Sequence, residues 1–288
     1  MSDSDLDTDE VAEIYDELLK TYRPEWEHRG HRSLHLAYYD DDHDDPAGAA
    51  VNTMRRLSEA AGIDGSEHVL NIGCGAGEDS VWNARAYGAR VTGVNISEAQ
   101  LELARENAAE HGVSDLTTFN YDDFHDLDTI EDDSVDVVWG LEALSHSPDR
   151  ARALTAAQRV LRADGRVAFT DLFLTGAADT LTPDQQDRIE TINDALGLRI
   201  GSIDEFEQTL LETDFESVGI EDLTEGVTRC TERRRSFARL AHPVGRVLGL
   251  FGVLSETQLD SFKASAEIDR LIQAGVLGYY LVTADVEA

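Results

Sequence analysis

The stretch Val69-Leu70-Asn71-Ile72-Gly73-Cys74-Gly75-Ala76-Gly77-Glu78 decides how this chain is read. It opens as a short apolar run of the kind that becomes a buried strand. The run breaks into glycines at alternate positions, Gly73, Gly75 and Gly77, and then into a helical pattern. Glycine belongs there because the backbone must turn sharply and admit a ligand with no Cβ in its way. Glu78 narrows the choice of ligand. A dinucleotide fingerprint puts a small residue at that point, so that a pyrophosphate can sit on the helix N-terminus. A carboxylate repels a diphosphate and tolerates a cationic nucleotide.

Outward from this turn the pattern alternates. Strands are predicted at 68–72, 90–94, 117–120, 135–139 and 166–172, with helices at 46–61, 77–87, 97–111 and 148–162. Ser97 suits a helix start, and Ser147-Pro148 puts a capping serine before a proline at the first helical position. Short connections between alternating elements argue for a parallel sheet covered on both faces. After Asp171 the rhythm changes. Thr182-Pro183 opens one helix, and Ser202-Ile203-Asp204-Glu205 matches a capping box opening another. A strand near 216–223, a long helical region from Arg229 to Ala274 and a last strand at 278–286 complete seven strands. Residues 174–213 read as a helical cap inserted over the carboxyl ends of the strands. Residues 11–288 then form a single domain, preceded by a disordered acidic tail at 1–10 and a helix over 11–22.

The chain has 288 residues, with 58 acidic against 24 basic side chains and a net charge of −34. The acids are spread along segments with good apolar patterns, which describes a heavily solvated surface rather than an acidic tail. Adaptation to concentrated salt gives the same composition, since self-repulsion is screened there. Nucleic acid and anionic membrane are disfavoured partners, because both call for positive surface. Cys74 and Cys230 make no disulfide framework and sit in no metal-ligand spacing. No apolar run approaches the roughly 20 residues of a membrane span, and Met1–Glu10 lacks the apolar core of a signal peptide. A soluble, cytoplasmic protein without stable membrane insertion is expected.

In open α/β sheets, ligands bind outside the carboxyl ends of the strands. Four such ends matter: the glycine turn, Val94-Asn95, Asn120-Tyr121-Asp122-Asp123-Phe124, and Trp139-Gly140-Leu141-Glu142 leading to Ser145-His146-Ser147. Asn95 lies about 20 residues past the turn, where a nucleotide-binding sheet places a ribose ligand. Asp122 or Asp123 suits an adenine amino group, and Phe124 suits stacking, although either acid also reads as a solvated loop residue. His146 reads as a base or an acceptor-orienting donor, or else as a cap of the following helix. His28, His31, His35 and His43 match no metal pattern, so no metal is expected. Trp26, His35 and Tyr38 read better as an aromatic flap. Arg229, Arg233, Arg234 and Arg235 are either an anion site or a solvated helix face.

These residues resemble the class I methyltransferases that use S-adenosyl-L-methionine (SAM). The matching segments are VLNIGCGAGE, GVNISEAQLELARENA, DVVWGLEALSHSPDR and AQRVLRADGRVAFTDL, together spanning about residues 66–172. HLAYYD, NIS and SHSPDR resemble the branch holding sarcosine/dimethylglycine N-methyltransferases, tocopherol-type C-methyltransferases and macrolide-sugar O-methyltransferases. The resemblance implies a Rossmann-like, seven-stranded α/β sheet with helices on both faces and a helical cap. It implies SAM as cofactor, held by Asn71, Gly73, Gly75, Gly77, Asn95, Asp122, Asp123, Phe124 and Trp139. It also implies a small-molecule methyl acceptor near Trp26, His35, Tyr38 and Glu142, with His146 catalytic. The family usually carries Asp or Glu where Asn71 stands, and often an acid at Asn95. With the salt-adapted composition, the resemblance points first to a glycine-derived amine methylated towards betaine. The apolar stretch Val244–Leu254 points second to a lipophilic quinol or prenyl phenol, or simply to core or a homodimer contact. A SAM-binding protein without turnover is the third reading.

Overall fold

The computed structural model describes residues 17, 32, 34–250 and 255–286, with the side chains of 240–250 outside the description. Residues 1–10, most of the helix expected over 11–22, Trp26 and the side chains of Val244–Leu254 therefore lie outside the described residues.

Seven strands form one sheet in the order β3-β2-β1-β4-β5-β7-β6. They are β1 (His68–Ile72), β2 (Arg90–Asn95), β3 (Thr117–Tyr121), β4 (Val135–Leu141), β5 (Leu161–Leu174), β6 (Phe215–Asp222) and β7 (Leu277–Val286). The first five run parallel, with Asn71 paired to Gly93 on one side and to Trp139 on the other. The helices bounded within the described residues are α1 (Pro46–Ala60), α2 (Glu78–Tyr87), α3 (Glu98–Glu110), α4 (Arg150–Val160), α5 (Pro183–Leu196), α6 (Ile203–Glu212), α7 (Thr224–Leu250) and α8 (Glu256–Gln273). Side chains alternate across a strand, so neighbours in sequence enter different cores. Val69 and Val137 join a cluster with Leu57, Leu101 and Tyr279. Leu70 and Val138 join another with Leu154, Phe169 and Phe206. Both faces of the sheet are thereby covered, and its strand ends are left for a ligand.

Local chemistry sets most helix boundaries. Ser97 accepts from the backbone N–H of Gln100, and Thr182–Gln185 and Ser202–Glu205 close capping boxes at α5 and α6. One start differs from expectation. Asp149, rather than Ser147, caps α4 by accepting from Arg152 N, so the helix opens at Arg150. Ser147 is occupied instead: its hydroxyl accepts from Asp149 N and faces His125 Nε2 at 2.8 Å.

The second half adds what the alternation left open. The first five strands run parallel, as the alternation predicts, and the sheet becomes mixed because β7 runs antiparallel between β5 and β6. Its Leu277–Val282 run is buried on both faces, which suits an interior strand, whereas β6 is largely exposed and takes the edge. The expected cap also divides. Helix α5 stacks on α8, helped by an ion pair between Arg188 and Glu267. Helix α6 covers the sheet instead, with Phe206 stacked on Phe173 at 5.1 Å.

Candidate active site

A cavity of about 1170 Å³, counting the part open to solvent, lies at the carboxyl ends of β1, β2, β3 and β4. Its floor is the glycine turn. Gly73 and Gly75 hold φ of 63° and 53°, the left-handed region that disfavours a side chain. A Cβ on Gly73 would come within 2.9 Å of Ala143, while one on Gly75 would meet only Gln100 Oε1, at 3.5 Å, and otherwise fill the cavity. Gly77 serves packing rather than the ligand. It caps α2 at φ 77°, and a Cβ there would sit 2.6 Å from that of Ala104.

Asn95, Asp122, Asp123 and Phe124 all line the cavity. Asn95 donates through Nδ2 to Gln100 Oε1 at 2.8 Å and accepts from Ile96 N. Asp122 accepts from the backbone of Asp128 and Thr129 and from the Thr129 hydroxyl, which fixes the loop after β3. Asp123 Oδ1 lies 2.6 Å from His125 Nδ1 and also accepts from His125 N.

Asn71 and Trp139 are off the wall. They are register partners inside the sheet, 1% and 0% exposed. Asn71 donates to Ser80 Oγ at 2.9 Å beneath α2. Both asparagines that stand where acids are usual donate through the amide nitrogen, Asn71 to Ser80 and Asn95 to Gln100. Tyr38 is also elsewhere, its ring under the Arg56 guanidinium at 4.4 Å. His35 does reach the wall, with Nε2 3.0 Å from Ala50 O. Arg234, from the basic cluster, donates to the carbonyls of Leu34 and His35 and so braces this segment.

Glu142 and His146 occupy the end formed by the exit of β4. Glu142 sits at φ 54°, a strained conformation for a non-glycine residue that recurs at functional sites. It accepts from Leu36 N at 2.6 Å and from the Tyr279 hydroxyl at 2.9 Å. Burial lifts its carboxyl to about 7, against the pull of Arg234. His146 places Nδ1 2.9 Å from Gly197 O. A carbonyl only accepts, so the ring carries its proton on Nδ1 and its lone pair on Nε2. Burial lowers its value to about 4, so the ring is neutral near pH 7.

The site also holds wall residues that the sequence reading missed. Asp79 follows Glu78 on α2, and its Oδ1 is buried with no hydrogen-bond partner. Burial, with Glu78 and Glu142 nearby, raises its carboxyl well above the usual range. Gln100 and His125 complete the wall. Only their spacing after Ser97 and Asp123 hinted at them. A buried acid whose Oδ1 makes no hydrogen bond and faces His35 Nδ1 at 3.8 Å, beside a turn with no Cβ and in a wall carrying Glu78, Asp122, Asp123 and Glu142, fits a nucleoside that brings positive charge and an ammonium group. SAM is such a molecule. Among the described residues no group of three or more His, Cys, Asp or Glu is placed to hold a metal, and no helix is long and apolar enough to cross a membrane.

Comparison with known proteins agrees. The methyltransferase-domain family matches residues 70–169. The chain is 32% identical over 256 residues to a 27-O-demethylrifamycin SV methyltransferase of Amycolatopsis mediterranei, covering 88% of this chain and 89% of that protein. It is 31% identical over 258 residues to a sarcosine/dimethylglycine N-methyltransferase of Halorhodospira halochloris, covering 87% and 85%. Among solved structures, a geranyl diphosphate methyltransferase in complex with GPP and sinefungin superposes with a TM-score of 0.78 at 18% identity, over 96% of this chain and 98% of that one. With a glycine turn open to a ligand, an acid-rich wall and full-length relatives of one kind, this chain belongs to the SAM-dependent methyltransferases that act on small molecules.

Proposed function

We propose that this enzyme methylates the nitrogen of a glycine-derived amine acid, sarcosine or dimethylglycine, towards betaine. The observation that carries the reading is the proton-accepting group at the exit of β4. When bound, SAM supplies a methyl group activated by its sulfonium. The chain then has to present a nitrogen lone pair to it. An alkylamine arrives as an ammonium with a pKa of about 10, which the carboxylates of the wall attract. Glu142, at about 7, takes that proton at a cost of about 4 kcal/mol. His146, at about 4, would do so at about 8 kcal/mol, so it orients the acceptor through Nε2 instead. An aliphatic hydroxyl is far less acidic than an ammonium, and neither group deprotonates it readily. The likeness to the Halorhodospira halochloris enzyme supports the same reading.

A second reading has its own support. The only guanidinium on the described wall, Arg32, is already paired with Glu110 at 2.7 Å rather than offered to a substrate carboxylate. That favours a neutral acceptor such as a quinol or prenyl phenol, whose acidic hydroxyl Glu142 also accepts from. A panel assay with labelled SAM decides between them. Label in sarcosine or dimethylglycine is expected, and label in a quinol with none in either amine overturns the proposal.

A further inference from the structure

His146 is useful only while its ring is held, and what holds it comes from another part of the chain. The carbonyl that fixes its tautomer belongs to Gly197, the left-handed cap at the end of α5, 51 residues away. The turn carrying the ring, Leu144–His146, and the segment 197–201 must therefore stay in register with each other. One half-buried side chain bonds both. Arg150, in the first turn of α4, donates through Nε to Leu144 O at 3.2 Å and through Nη2 to Arg199 O. Its guanidinium also lies over the Phe173 ring at 5.6 Å. Two further bonds extend the same seam: Arg199 N donates to Ser145 O, and the Asp171 side chain accepts from Ser145 N through Oδ2 at 2.8 Å. Gly201 is shaped to this arrangement, since a Cβ there would stand 2.5 Å from Arg150 Nη1.

We propose that Arg150 is a positioning residue, a planar fork that pins the 197–201 segment of the cap to the exit turn of β4 and so keeps His146 in its Nδ1–H tautomer, facing the acceptor. Arginine suits the task because two donors leave its rigid plane in fixed directions, whereas lysine is a flexible point donor. This rests on the reading that His146 orients the acceptor, but its readout does not depend on turnover alone.

The test combines kinetics with nuclear magnetic resonance on isotope-labelled histidine in the full chain. Arg150→Met and Arg150→Lys should both lose the single Nδ1–H tautomer of His146, and kcat should fall by about the factor that His146→Ala produces. SAM affinity should change by less than about twofold, and the double variant with His146→Ala should lose nothing further, as for two residues acting as one unit. Gly201→Ala, which crowds the guanidinium and leaves Arg150 in place, should give a milder form of the same tautomer mixing. It serves as the test should the Arg150 variants fail to fold. An unchanged tautomer in a folded Arg150 or Gly201 variant, or a loss that adds to that of His146→Ala, overturns the proposal. A His146→Ala enzyme of full activity sinks the orienting role, while the tautomer measurement still judges Arg150.

Discussion

The cavity has two halves, and they are made differently. The half at the ends of β1, β2 and β3, which we propose as the cofactor half, is built from short stretches whose bonds close locally: Gly73–Gly77, Asn95 with Gln100, and Asp122 with Thr129. The half at the exit of β4, which we propose as the acceptor half, is assembled over long distances. Glu142 is held by Leu36 and Tyr279, at separations of 106 and 137 residues, and His146 by Gly197. A locally closed site is set by a few residue types and is the same wherever those residues recur. An assembled one changes whenever any contributing segment changes, which suits the part of an enzyme that distinguishes acceptors.

Substitutions should separate the halves. The largest effect is expected from Glu142→Gln, which keeps the acceptor oxygen for Leu36 N and Tyr279 but cannot take a proton. Turnover should fall by about a hundred- to ten-thousandfold, with SAM affinity intact by calorimetry. The parent's turnover should rise with pH through about 7, as Glu142 ionises, and the variant should lack that limb. Stability should move the other way. Folding raises this carboxyl from 4.5 to about 7, so the folded chain keeps a proton the unfolded chain releases in that window, and stability falls as pH rises through it. Unfolding in denaturant at pH 5 and pH 8 should therefore show the glutamine variant gaining more on the parent at the higher pH. An unaltered pH profile would remove Glu142 from proton transfer.

Gly75→Val attacks the opposite half. A β-branched residue at φ 53°, with its side chain in the cavity, should weaken SAM binding by roughly a hundredfold or more, with the acceptor half untouched. A folded variant that binds SAM like the parent would refute the placement of the cofactor on the turn.

His146→Ala should lower turnover by about tenfold to a hundredfold, the range of an orienting contact rather than a general base. Because Asp149 caps α4, the substitution removes no helix cap. A marked stability loss with full activity would return His146 to a structural role.

The smallest effect spans both halves. With a net charge of −34, self-repulsion is felt over about 30 Å in 0.01 M salt and about 3 Å in 1 M. The melting temperature should climb steadily across that range in potassium chloride. A flat response would mean that the surface acids are compensated locally.

By itself, the sequence determined the parts whose physics is local. The glycine turn, the capping serines and threonines, and the alternation of apolar runs each depend on neighbours a few residues apart, and they give the parallel half of the sheet and the cofactor floor. Asn95, Asp122, Asp123, Phe124, Glu142 and His146 were legible as strand-end residues for the same reason. Tertiary structure decided the rest. Periodicity shows that side chains alternate across a strand, but not which face meets the cavity, so Asn71 and Trp139 read as ligand residues and are core. Nothing local separates an edge strand from one inserted antiparallel, so β7 and the division of the cap emerged only with the packing. The protonation of the acceptor half was decided there too, because the Gly197 carbonyl sets one tautomer and burial lifts one carboxyl against the hydrogen bonds it accepts from Leu36 and Tyr279. Both are fields created by segments that the chain brings together only when it folds.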